Sequence, residues 1–133
     1  MDQPIIKILV VDDEEDIAYF TTKILQREGF KAFKAVDGAE ALEIFYKERP
    51  QICLIDVHLG YSKIDGMDLL EKIRETDKTT ECIMITRITD KDTMARAKEL
   101  GVKDYLLKPL ANEQWLEKVH AAAKSLKEGG ANG

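Results

Sequence analysis

Short runs of apolar residues recur along this chain, each ending in a polar side chain and each followed by a stretch with helical periodicity. Residues 5–11 are apolar apart from Lys7 and lead into Asp12-Asp13-Glu14-Glu15. Residues 52–55 lead into Asp56, residues 83–85 into Thr86, and residues 102–107 into Lys108-Pro109. A run that is apolar at nearly every position, instead of at every second one, suits a strand covered on both faces. With a weaker strand at 30–36, five strands are expected, at 5–11, 30–36, 51–55, 82–86 and 102–107. They alternate with helices at 14–28, 39–48, 66–75, 90–100 and 112–126. Alternation with short links predicts an α/β fold: one doubly wound (βα)5 domain, its five-stranded parallel sheet joined by right-handed crossovers.

The expected helices carry apolar faces: Ile17, Phe20, Ile24 and Leu25 in the first; Ala41, Leu42 and Phe45 in the second; Met67, Leu70 and Ile73 in the third; Met94, Ala97 and Leu100 in the fourth; Trp115, Val119 and Leu126 in the last. Gly29 and Gly101 are placed to stop the first and fourth helices. The 133 residues fit one domain, with residues 1–127 folded and 128–133, Glu-Gly-Gly-Ala-Asn-Gly, expected as a flexible tail or linker stub.

Composition narrows the function. A net charge of −5 argues against general nucleic-acid binding. No apolar stretch approaches the roughly 20 residues that span a bilayer, so no membrane insertion is expected. Asp2 and an early strand stand where a signal peptide would have a basic start and a small-residue cleavage site. Cys53 and Cys82 lie inside apolar runs, without zinc-site spacing, and read as buried thiols of a reducing, cytoplasmic compartment.

In an open parallel sheet the strand C-termini converge on one edge, where ligands bind. Asp12, Asp13 and Asp56 gathered there repel one another, and a divalent cation relieves that repulsion. Magnesium suits the set because it takes oxygen ligands and keeps several waters. Taken alone, Asp12 or Asp13 could simply cap the first helix; Asp56 at the end of a second strand shifts the balance to a metal site. An aspartate can also act as a nucleophile toward phosphorus. Lys108 is suited to neutralise a phosphoryl group as a point charge, and Thr86 to donate a hydrogen bond to it. The bond between Lys108 and Pro109 can be cis, which would fix the direction of the lysine.

Val10-Val11-Asp12-Asp13-Glu14, Leu54-Ile55-Asp56, Asp65-Gly66-Met67, Met84-Ile85-Thr86 and the run from Gly101 to Leu110, in this order and spacing, resemble the receiver domain of two-component response regulators over nearly the whole chain. The resemblance implies the flavodoxin-like strand order 2-1-3-4-5. It implies that Asp56 is phosphorylated from a histidine kinase or histidine phosphotransfer protein. Magnesium (Mg2+) would then be held by Asp13 and Asp56, by Asp12 through water, and by the backbone carbonyl of His58. Lys108 would pair with the phosphoryl group, Thr86 would turn toward it, and Tyr105 would follow from exposed to buried. That movement would reshape the face of the fourth helix, fifth strand and fifth helix for an output protein or domain. The same face could serve a homodimer, with Lys91, Asp92, Arg96 and Glu99 as its charges. Such a protein is a switch and not an enzyme in its own right, although it assists its own phosphorylation.

The rival readings are a receiver-like interaction domain that works without phosphate and a phosphatase of the haloacid-dehalogenase type. The second needs Asp-x-Asp after the first strand, and the chain has Asp12-Asp13-Glu14. Three features depart from the receiver pattern. Between Asp56 and Asp65 the loop is two residues longer than usual, with Gly60 in place of a proline. Arg87 replaces a small residue beside Thr86, where it can crowd Asp56 or pair with an incoming phosphate. Ile88 cannot orient an attacking water, so a long-lived phosphoaspartate is expected, while His58 could assist water but is expected to use only its carbonyl.

Overall fold

In a computed structural model, residues 5–60 and 63–132 are described. The elements are β1 (Lys7–Val11), α1 (Glu15–Arg27), β2 (Lys31–Ala35), α2 (Gly38–Glu48), β3 (Ile52–Ile55), α3 (Gly66–Thr76), β4 (Glu81–Thr86), α4 (Lys91–Glu99), β5 (Asp104–Leu107) and α5 (Asn112–Asn132). The strands form one parallel sheet in the order β2-β1-β3-β4-β5, as expected.

The two faces of the sheet bury two apolar clusters, which is why the central strands are apolar throughout. Leu9, Val11, Ile55 and Met84 meet Phe45 of α2, Leu70 and Ile73 of α3, and Ala97 of α4. Ile8, Val10, Leu54 and Ile83 meet Ala18 and Leu25 of α1 and Trp115 and Val119 of α5. Both cysteines are free and buried, and face each other across the β3–β4 pairing.

Side-chain caps fix the helix starts near the sheet edge. Asp37 accepts from the Glu40 N–H, Asp90 accepts from the Thr93 N–H, and Asp65 forms a reciprocal capping box with Asp68. Arg74 of α3 donates to the carbonyls of Asp77, Thr80, Leu100 and Gly101, tying the end of α3 to the end of α4.

Three expectations change. The inner face of α1 is Ala18, Thr22 and Leu25; Phe20 is 63% exposed and Ile17 lies outside as well. Close approach of α1 to the sheet selects the small Ala18 there, and Thr22 is satisfied locally by donating to the Ala18 carbonyl at 2.7 Å. On α4 only Ala97 is buried, and Met94 is exposed. Finally, α5 does not end at Leu126: the backbone of 128–132, expected as an irregular tail, continues the helix to Asn132. Adding a turn to a formed helix avoids the cost of nucleation, which offsets the roughly 1 kcal/mol penalty of each glycine.

Gly66 sets how closely α3 approaches the sheet. Its N–H donates to the Val57 carbonyl at 2.7 Å, and a Cβ at this position would collide with the backbone of Asp56 and Val57. The start of α3 is thereby pressed against the end of β3. Gly66→Ala is expected to lower stability by about 1–3 kcal/mol or more, measured by urea denaturation. A loss confined to a few tenths would mean that the contact relaxes freely.

Candidate functional site

The site is assembled by backbone pairing that continues past the strand ends. The Asp56 N–H donates to the Val11 carbonyl at 3.0 Å, the Asp12 N–H to Ala35 at 3.1 Å, and the Lys108 N–H to Thr86 at 2.9 Å. Each functional residue is thus held one step beyond its strand, on the carboxyl edge of the sheet.

Asp12, Asp13 and Asp56 each present a carboxylate oxygen within 4.8 Å of the others. Asp12 and Asp56 are buried, while Asp13 is exposed and makes no ion pair among the described residues. Lys108 Nζ lies 2.9 Å from Asp12 Oδ2 and 2.9 Å from Asp56 Oδ2. The remaining oxygens are also engaged: Asp12 Oδ1 accepts from the Glu14 N–H at 2.9 Å and Asp56 Oδ1 from the His58 N–H at 3.1 Å. The bond between Lys108 and Pro109 is cis.

Electrostatics follow from this packing. Burial pushes the Asp12 carboxyl above its ordinary range, against the lowering effect of Lys108 and the Glu14 N–H. Burial alone would pull Lys108 down, but hydrogen bonds and charge from Asp12 and Asp56 carry it above its ordinary range. The acid set fits a hard divalent cation, since it offers several carboxylate oxygens on one edge, with Asp13 open to solvent.

Thr86 is buried, and its Oγ1 accepts from the Ile88 N–H at 3.3 Å. It borders a shallow cavity with Asp13, Glu14, Asp56, His58, Arg87 and Ile88. Tyr105 is half-buried and donates its hydroxyl to the Ile88 carbonyl at 2.9 Å. All seven residues singled out from sequence therefore lie at or next to one edge. Lys108 is paired with the acids themselves, where the sequence suggested only a phosphoryl partner. His58 is exposed, with its N–H on Asp56.

Sequence reasoning did not find the part played by Gly60. Its φ is +58°, and a Cβ there would stand 2.9 Å from Asp13 Oδ2. The loop backbone can approach the acid because the side chain is missing. The departure from proline was visible, but not what it faces. Tyr61 and Ser62, in the same loop, lie outside the described residues. A second cavity, of about 280 Å³, lies on the α1 and α5 side of the edge, bordered by Asp12, Asp56, Arg87, Lys108 and Trp115.

The chain belongs to the response regulator receiver domain family, whose model matches residues 8–120. It is 33% identical over 103 residues to sporulation initiation phosphotransferase F of Bacillus subtilis, covering 77% of this chain and 82% of that protein. It is also 33% identical over 119 residues to the chemotaxis protein CheY of Treponema pallidum, covering 89% and 83%. Among solved structures, a CheY-like receiver domain protein of Methanospirillum hungatei superposes with a TM-score of 0.85 at 28% identity, over 94% of this chain and 99% of that one.

Lys108→Met leaves two buried carboxylates facing each other without their cation, and is expected to cost about 3 kcal/mol. Because the folded-state lysine lies above its ordinary value, this contribution is complete below that value and is lost as pH rises through the raised one. Urea denaturation with and without a divalent cation checks it: the deficit should shrink when the cation is present. Equal stability of variant and parent near neutral pH would mean that the ion pairs contribute nothing net.

Proposed function

We propose that this chain is a phosphorylation-dependent signalling switch whose acceptor is Asp56. The observation that carries the reading is Lys108, held at 2.9 Å from both Asp12 and Asp56 beside the exposed Asp13. A carboxylate nucleophile, a cation-binding acid set and a fixed ammonium are the components that phosphoryl transfer needs. The donor is a phosphohistidine on a histidine kinase or a histidine phosphotransfer protein. An Asp56 carboxylate oxygen forms the new P–O bond as the P–N bond breaks, and the electron pair returns to the imidazole nitrogen.

Magnesium is the cation we propose. Asp13 and Asp56 would ligate it directly, Asp12 through water and His58 through its carbonyl. When bound, it supplies charge neutralisation for the phosphoryl oxygens. Lys108 neutralises the group from the other side and must loosen its bond to Asp56 to do so. The Thr86 hydroxyl, now an acceptor for the Ile88 N–H, turns to donate to a phosphoryl oxygen. Ile88 then loses one of its two tethers, and the other is Tyr105. A charge event at Asp56 is thereby passed to β5 and α4, biasing the α4-β5-α5 face toward its output state. That face is also our proposed homodimer surface, although Arg96 is already committed to Glu71 and Glu99. The domain works as a switch that assists its own phosphorylation, in the cytoplasm, where its two buried free thiols stay reduced.

Incubation with Mg2+ and a small phosphodonor, followed by intact mass, tests the reading. One phosphoryl group should be gained by the parent and none by Asp56→Asn. Parent protein that binds Mg2+ but gains no phosphoryl group would instead favour an interaction domain working without phosphate. With apolar Ile88 beside the acceptor, the phosphorylated form should outlast seconds after donor removal; loss of the group within seconds would contradict that part.

A further inference from the structure

Arg87 stands out among the cations near the site. It is exposed and has no hydrogen bond or ion pair among the described residues. It borders both cavities that flank Asp56, the shallow one with Asp13 and His58 and the larger one with Lys108 and Trp115. Its backbone is bracketed: Thr86 Oγ1 accepts the Ile88 N–H ahead of it in the loop, and the Ile88 carbonyl accepts the Tyr105 hydroxyl. An arginine with a fixed root and a free head, one residue from the side chain expected to contact phosphate, has few partners available. The exposed acids Asp13 and Glu14 are close, yet neither is paired with it.

The charge balance supplies the missing partner. Asp12, Asp13, Glu14 and Asp56 border these cavities, against Lys108 and Arg87. Phosphorylation replaces the single charge of Asp56 by nearly two. Even with a divalent cation and Lys108 present, the site without Arg87 is then about two charges negative. A guanidinium offers a planar, two-pronged donor set that matches phosphoryl oxygens, and an ammonium does not.

From this we infer that Arg87 is a second cationic ligand of the phosphoryl group on Asp56, reaching it from the cavities that the two residues share. The inference rests on the reading of Asp56 as the phosphoacceptor. Before phosphorylation Arg87 has no partner among the described residues, so its pairing energy is gained with the phosphoryl group. Because it sits between Thr86 and Ile88, that pairing also pulls on the segment held by Tyr105.

Beryllofluoride with Mg2+, a stable mimic of the phosphoryl group, reads this directly. The full chain, R87A and R87K are titrated with Mg2+ alone and then with beryllofluoride at saturating Mg2+, followed by the fluorescence of Trp115 or by calorimetry. R87A should bind beryllofluoride about tenfold more weakly or worse, while binding Mg2+ alone as well as the parent or better, because a like charge has been removed. R87K should fall between the two. Equal beryllofluoride affinity in R87A and the parent overturns the inference and leaves the acceptor reading intact. A matching loss of Mg2+ affinity also overturns it, since that would mark general damage to the site. If the parent binds Mg2+ but neither beryllofluoride nor a phosphoryl group, the acceptor reading fails and the inference fails with it.

Discussion

One ammonium between two carboxylates organises this molecule. Lys108 comes from the end of the edge strand β5, Asp12 from β1 and Asp56 from β3. Both ion pairs therefore reach across β4 and join β5 to strands with which it shares no direct pairing. Desolvating three charges is unfavourable, and the mutual attraction recovers that cost only while the geometry holds. The acid cluster is thus only partly neutralised. Asp13 remains open, and Asp12 is held in a form that burial disfavours. A site in this condition responds to an added dication or an added anion, because either one redistributes the ammonium.

The remaining parts respond to that redistribution. Thr86 and Tyr105 both hold Ile88, one at its N–H and the other at its carbonyl. The segment after β4 is the common element, held by these two hydrogen bonds of ordinary strength and by the packing of the half-buried Ile88 on the core. Such a segment can be rearranged at modest cost. The central strands β3 and β4 are largely buried on both faces and cannot.

Much of this was legible in the sequence because it rests on local chemistry. Apolar runs covered on both faces specified the parallel sheet, and the residue after each run named the site. What was not legible depends on how closely elements approach. Phe20 and Ile17 have the spacing of a buried face, yet the tight fit of α1 on the sheet selects Ala18 and leaves them outside. Gly60 was noticed as a missing proline, but only its positive φ and closeness to Asp13 explain it. Lys108 was assigned to phosphate, whereas its resting partners are the acids, since a buried ammonium must have a partner even before a ligand arrives. The four-carbonyl grip of Arg74 had no sequence signal at all, because its acceptors are backbone groups, two of them from the distant end of α4.

The loop that leaves Asp56 has both ends nailed down. At one end the Asp56 N–H is paired with Val11, and at the other Gly66 is pressed on the backbone of Asp56 and Val57. The span between these footings is therefore set by the sheet and not by the number of residues that cross it. Added residues lengthen the path between these footings without moving the footings themselves. Length in this loop acts as a contour variable: it can redraw the rim beside Asp56 while the carboxylate keeps its address.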